Sequence, residues 1–238
     1  MYGAGGSPGV RYDHGLMPDL DVVFKAYDIR GRTDIGELTP DLARDVGAAF
    51  ARFARVPTVA VGRDCRASSP GLFAALVAGI TGEGVDVLDL GEVATDTVYY
   101  VSGSRRVAGV MITASHNPPE YNGIKLCLPG AAPVGSESGL GDIRALIDGG
   151  LAPGPGGGRV TPVDPLPGYV DHLLSVVDPD AIAPLTVAVD GGNGMAGVVL
   201  ERVFDRIPAR LRGLYLEPDG TFPNHPADPP QPENLVDL

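Results

Sequence analysis

Seven consecutive residues, Val107-Ala108-Gly109-Val110-Met111-Ile112-Thr113, carry no charge and end in a single hydroxyl. A run this apolar, in which neighbouring side chains would point to opposite faces, reads as a strand buried on both sides, the pattern of a central strand with helices above and below it. The flanking segments supply those helices. Thr39-Pro40-Asp41 offers an N-cap, a first-turn proline and a helix-dipole acid, and Leu42, Val46, Phe50 and Phe53 follow as an apolar stripe at helical spacing. Thr58 to Gly62 reads as a short buried strand, Ser69-Pro70 starts a helix running to Gly82, Val85 to Gly91 is the next strand, and Asp96 to Val101 opens another helix. Upstream, Val22 to Gly31 reads as one strand ending in a charged turn. Alternation of this kind indicates an α/β/α sandwich.

After Thr113 the pattern changes. Asn122-Gly123 is a hairpin signal, and Ile124 to Leu128 resumes as a strand after a short loop, so the sheet is expected to be mixed with one antiparallel strand. A helix from Gly141 to Ile147 follows, then a Pro/Gly-rich stretch from Leu151 to Gly158. A second unit reads as a helix from Tyr169 to Val177, a strand from Leu185 to Asp190, a helix from Gly194 to Phe204 and a strand from Leu211 to Glu217. The expected fold class is therefore α/β, a mixed-sheet α/β/α sandwich domain followed by an incomplete second α/β domain. The expected divisions are a mobile leader over 1–20, a first domain over 21–150, a linker over 151–164 and a partial second domain over 165–238.

Composition bounds the function. With 34 Gly and 23 Pro among 238 residues the chain approaches low complexity, but these residues concentrate in the leader, around 129–168 and in the last 20 residues, leaving ordinary density between. The net charge of −12 and pI near 4.6 argue against a nucleic-acid partner, which needs a basic face. No apolar stretch approaches the ~20 residues of a membrane span, and Met1 to Gly6 has neither part of a signal peptide. Cys65 and Cys127 lack metal-ligand spacing and suit a reducing compartment. A cytoplasmic protein without a membrane partner is expected, and any anionic substrate must find a local cationic pocket.

The segment Thr113-Ala114-Ser115-His116-Asn117-Pro118-Pro119-Glu120 sits at the C-terminal end of the buried strand, where open α/β sheets hold their ligands. Ser115 and His116 are adjacent, so they are poorly placed to share a proton as nucleophile and base. A serine among His116, Asn117 and Lys125 can instead hold a phosphoryl group, whose oxygens need donors and positive charge. Ordinary turn chemistry explains Ser-His-Asn-Pro as well. Lys125 is one of two lysines beside 16 arginines, and an amine, unlike a guanidinium, can give and take protons. Tyr27-Asp28-Ile29-Arg30-Gly31 and Gly62-Arg63-Asp64-Cys65-Arg66 put arginines at two further strand ends, as phosphate ligands or as Arg–Asp pairs that fix the turns.

Gly192-Asn193-Gly194-Met195-Ala196-Gly197 follows a strand and has Glu217 about 20 residues on, which matches the dinucleotide fingerprint. An NAD(P)-binding protein is therefore an alternative. Against it, Asp190 directly before the glycines would oppose a pyrophosphate, and a tight strand-to-helix turn explains the glycines equally well.

Taken together, Phe24 to Gly31, Gly62 to Arg66, Thr113 to Lys125 and Val189-Asp190-Gly191-Gly192-Asn193-Gly194 resemble the α-D-phosphohexomutases, in particular their phosphomannomutase/phosphoglucomutase branch. The resemblance runs from about residue 22 to the last residue and implies the N-terminal portion of such an enzyme. It implies that Ser115 is the phosphoserine that exchanges a phosphoryl group with a hexose phosphate through a hexose 1,6-bisphosphate. It also implies catalytic roles for His116, Lys125 and Arg30, and substrate contacts from Tyr27, Arg30, Arg63 and Asn117. Family members hold Mg²⁺ through the phosphoserine and three aspartates of an Asp-Gly-Asp-x-Asp-Arg loop, which these 238 residues do not contain and which is expected after Leu238. The resemblance thus implies a fragment inactive alone, with the missing C-terminal domains as partner on a separate chain; a non-catalytic phosphosugar-binding fragment is the alternative.

Overall fold

The computed structural model describes residues 18–238; most of the expected leader lies outside the described residues. Elements in chain order are α1 (Leu20–Val23), β1 (Ile29–Arg32), α2 (Pro40–Ala54), β2 (Thr58–Arg63), α3 (Ser69–Gly82), β3 (Asp86–Glu92), α4 (Thr95–Arg105), β4 (Ala108–Ile112), β5 (Tyr121–Leu128), β6 (Ala132–Pro133), α5 (Gly141–Asp148), β7 (Val160–Pro162), α6 (Leu166–Ser175), β8 (Thr186–Asp190), α7 (Ala196–Phe204) and β9 (Arg210–Leu214). The first seven strands form one mixed sheet in the order β1-β5-β4-β2-β3-β7, with β6 on β5. β5 runs antiparallel to both of its neighbours, β1 and β4, while β2, β3, β4 and β7 are parallel.

The layers follow from the side chains. Thr39 caps α2 by accepting from Leu42 N–H at 3.2 Å, and Pro40 occupies its first turn. The buried faces of α2, α3 and α5, among them Leu42, Phe50, Leu76, Ile80 and Ile143, meet Val59, Val61, Val110 and Ile112 on one side of the sheet. On the other side Val98 and Val101 of α4 pack on Ala60, Leu90 and Met111. All five residues of β4 are buried, as expected for a strand covered on both faces. The second unit holds the parallel pair β8–β9 with α6 and α7. Tyr100 of α4 stacks on His172 of α6, ring centres 5.3 Å apart, and packs against the tilted ring of Tyr169 at 5.6 Å. No helix of the described residues is long and apolar enough to cross a membrane.

Two local expectations are corrected. Val22 to Gly31 is not one strand: Asp19 accepts from Asp21 N–H and starts the single turn α1, and Lys25 N–H donates to Asp28 O in a turn that leaves only Ile29–Arg32 extended. Asn122-Gly123 is not a hairpin turn but lies inside β5, opposite Gly31 and Arg30. Asn122 is fully buried, and its side-chain amide donates to the hydroxyls of Ser68 and Ser69 at 2.8 and 2.9 Å. A Cβ at Gly123 would meet Ile29 O at 2.7 Å and Thr113 O at 2.8 Å, so glycine is required there for close strand approach. The chain reverses upstream, through 113–120. The Pro/Gly-rich stretch has no regular structure, but Gly156 and Gly158 N–H bond to Gly82 O and Thr81 O and lead into β7 on the sheet edge.

Candidate active site

β4 delivers the loop 113–120 to the C-terminal ends of β2 and β4. At its tip Ser115 is exposed and has φ +56°, a left-handed conformation that is unfavourable for a residue with a Cβ. Its N–H donates to Thr113 Oγ1 at 3.0 Å, and Asn117 N–H donates to Ala114 O at 3.1 Å. The loop is thus tightly turned.

Beneath it lies Arg66, fully buried. Its Nε donates to Asp64 Oδ2 at 3.1 Å. One terminal nitrogen donates to Pro118 O and Tyr121 O at 2.7 and 3.0 Å, the other to Ser115 O and Asn117 O at 2.9 and 2.7 Å. Burial pulls the guanidinium pKa below its usual value, and the Asp64 carboxylate opposes that shift. Asp64 Oδ1 accepts from Arg66 N–H and from the Ser69 hydroxyl, so the same carboxylate fixes the turn and the guanidinium. Sequence reasoning read Arg66 only as part of a strand-end motif. Its signal was the Asp-x-Arg spacing, which lets one carboxylate hold both the backbone and the side chain of the arginine two residues later.

A second set of residues gathers where β1 pairs with β5 beside the loop. Arg30 donates to Asn117 Oδ1 at 2.6 Å and to Asp28 Oδ2 at 2.5 Å, and Lys125 Nζ reaches the same Asp28 oxygen at 3.0 Å. Arg30 Nε is buried without a protein partner. Arg30, Asn117, Lys125 and the Ser115 loop are therefore brought together through Asp28 and Asn117. His116 is exposed and lines the same cleft as Ser115, about 350 Å³ in volume. Tyr27 is 83% exposed and lines a separate groove with Gly135 and Ser136. Arg63 is not brought to Ser115. It lies over the Phe73 ring at 5.0 Å, with Asp89 at 3.9 Å and Glu92 at 3.8 Å, because it leaves β2 on the α3 side of the sheet whereas Asp64 turns under the loop.

The second unit closes the cleft. Gly194, Met195 and Phe222 face Ser115 and His116 across it. Phe222 covers the Arg66 guanidinium, 5.0 Å from ring centre to Cζ, and a Cβ on Gly220 would collide with Cys65 O at 2.4 Å. Cys65 Sγ lies 3.6 Å from Asn193 O, and burial together with Asp64 pushes its pKa up to about 11. It is a neutral thiol at pH 7 rather than a nucleophile.

The glycine fingerprint does not build a pyrophosphate site. Gly191 N–H donates to Leu214 O, Gly192 N–H to Asp190 Oδ1, Asn193 N–H to Tyr215 O and Gly194 N–H to Gly191 O, so four successive amides are occupied by the protein itself. Asp190 also faces His225 Nε2 at 3.0 Å. Gly197 serves packing, since a Cβ there would lie 1.8 Å from Leu216 O. Nor do the residues present fit the Mg²⁺ that the resemblance implies. Among the described residues no three His, Cys, Asp or Glu side chains come together to hold a cation, whereas Mg²⁺ is bound octahedrally by oxygens.

Known proteins resemble this chain in sequence and fold. The sequence profile of phosphoglucomutase/phosphomannomutase alpha/beta/alpha domain I matches residues 21–149, and that of domain II matches 167–238. Over 214 residues the chain is 42% identical to the phosphohexose mutases of Xanthomonas campestris pv. campestris, covering 89% of this chain and 47% of the relative. It is 37% identical to a phosphomannomutase of Salmonella montevideo, covering 88% of this chain and 48% of the relative, and 38% identical to a phosphoglucomutase of Neisseria gonorrhoeae, covering 91% and 47%. The crystal structure of a phosphoglucomutase/phosphomannomutase family protein from Burkholderia thailandensis superposes with a TM-score of 0.84 at 36% identity, over 93% of this chain and 50% of that one. The chain spans about half the length of these relatives. With both profiles matched in order over most of its length, the chain belongs to the phosphoglucomutase/phosphomannomutase family.

Proposed function

We propose that this chain carries the phosphoryl-holding part of a hexose phosphate mutase, with Ser115 as the carrier. In the half-reaction assigned to it, a phosphoryl group passes from a hexose 1,6-bisphosphate to Ser115 Oγ. The bond from phosphorus to the sugar oxygen breaks, a bond from phosphorus to Oγ forms, the hydroxyl proton leaves Oγ and the sugar oxygen gains one. The reverse step at the other end of the sugar completes the isomerisation. The observation that carries this reading is the presentation of Ser115, an exposed hydroxyl on a loop of unfavourable backbone geometry held from below by a buried cation.

The neighbouring residues fit the parts such a transfer needs, which are positioning and charge neutralisation rather than a strong nucleophile. Arg30 and Lys125 bring positive charge to the mouth of the site, and Lys125 and His116 are the groups able to move the proton. Asn117 orients Arg30. Tyr27 is assigned to the sugar from its exposed groove, and Arg63, engaged by Asp89 and Glu92, is left out of the set. The substrate is read as mannose or glucose phosphate, the partner as the domains that the longer relatives carry, and the compartment as the cytoplasm, which suits two free thiols.

The test is intact-mass analysis after incubation with glucose 1,6-bisphosphate. The chain is expected to gain one phosphoryl mass and Ser115→Ala none; equal gain by both overturns the assignment. Saturable binding of the bisphosphate without transfer would instead favour a non-catalytic phosphosugar-binding role.

A further inference from the structure

We infer that Arg66 is a positioning residue for phosphoryl transfer at Ser115, a role that rests on the function proposed above. A protonated guanidinium has five N–H donors, and all five of Arg66's are engaged: one by Asp64, four by the carbonyls of Ser115, Asn117, Pro118 and Tyr121. With no donor left for a ligand, Arg66 acts through the loop and not on the substrate. Drawing four carbonyl oxygens inward fixes the loop at Ser115, the residue with φ +56°. It also turns the negative ends of those peptide dipoles away from the face where an anionic phosphoryl group must sit. A lysine has three donors in a compact head and cannot span four carbonyls and a carboxylate. Phe222 of the second unit packs against the guanidinium, its ring centre 5.0 Å from Cζ, so the unit across the cleft bears on the same anchor.

The experiment uses the full chain and two readouts: the rate at which Ser115 takes a phosphoryl group from glucose 1,6-bisphosphate, followed by intact mass, and amide hydrogen exchange across residues 113–122. Arg66→Lys is expected to lower the maximal rate about 100-fold, the cost of a misplaced reacting group, while the half-saturating bisphosphate concentration stays within about twofold. Exchange is expected to accelerate in 113–122 and not in β2. A role limited to global stability would instead raise exchange everywhere. Wild-type uptake by a folded Arg66→Lys protein overturns the inference and leaves the proposed function standing. If the wild-type chain takes no phosphoryl group, the proposed function falls and the inference falls with it, an outcome distinct from the one in which the wild type is phosphorylated and Arg66→Lys is too. Should Arg66→Lys fail to fold, Phe222→Leu decides, with about a fivefold slower uptake expected from loss of the stacking and an unchanged rate overturning the inference.

Discussion

Lys125 Nζ stands 3.0 Å from the Oδ2 of Asp28, a carboxylate that is only 5% exposed and also accepts from Arg30. One buried anion thereby holds two cations that would otherwise repel each other on the paired strands β1 and β5. Asp28→Asn is expected to lower stability by about 2 kcal/mol, because a buried charge network loses its centre. Urea unfolding checks this, and an unchanged midpoint would show that Arg30 and Lys125 hold their places without it.

The backbone of Ser115 gives a prediction of opposite sign. Glycine adopts positive φ without the Cβ penalty, so Ser115→Gly is expected to raise stability by about 1 kcal/mol after its own entropic cost, while Ser115→Ala leaves stability near wild type. Thermal melts of the two variants side by side test it. Equal melting temperatures would mean that the loop is not strained at that residue.

Cys65, held neutral by burial up to about pH 11, is expected to alkylate with iodoacetamide at pH 8 about 100-fold more slowly than the same thiol in urea, in proportion to its smaller thiolate fraction. Mass spectrometry of the labelled peptide reads the ratio. The unfolded thiol ionises near 9, so this group's contribution to stability is complete below pH 9 and declines from there to about pH 11.

His225 sets a pH dependence in the lower range. The carbonyl of Pro226, then the Asp190 carboxylate, raise its pKa against the lowering effect of burial. A raised histidine pKa means the folded state prefers the imidazolium. Its contribution is complete below the unfolded value near 6.5 and is lost as pH rises through the higher folded value. The urea midpoint of the chain is expected to fall between pH 6 and 8.5, and His225→Asn to flatten that slope. A slope that survives the substitution assigns it to another group.

Much of the architecture was legible because it rests on local rules. The Thr39 cap, the apolar stripe of α2 and the seven-residue run around β4 each follow from chain-local periodicity, and all three appear where periodicity puts them. Asn122-Gly123 misled because turn propensity is local while the pairing of β5 with β1 is not: the glycine answers to Ile29 and Thr113, the asparagine to Ser68 and Ser69. The same distinction separates the site residues. Lys125 and Arg30 converge because β5 and β1 pair antiparallel and both side chains reach Asp28, and Asn117 joins them through Arg30. Arg63 and Arg66, three residues apart in one motif, take different partners, and which of them goes under the loop is decided by Asp64 and by carbonyls some 50 positions away.

The edge strand β7 has a mechanical consequence. Val160–Pro162 is paired to β3, Val163 N–H is tied to Asp89 O at 2.8 Å, and α6 begins at Leu166. The crossing between the two units therefore narrows to Asp164 and Pro165, the second with its φ fixed by its ring. Such a crossing is a short one rather than a loose tether: a swing of the second unit would have to turn on the torsions of Asp164 and the ψ of Pro165, and it would carry Phe222 on or off the guanidinium as a lever carries its far end.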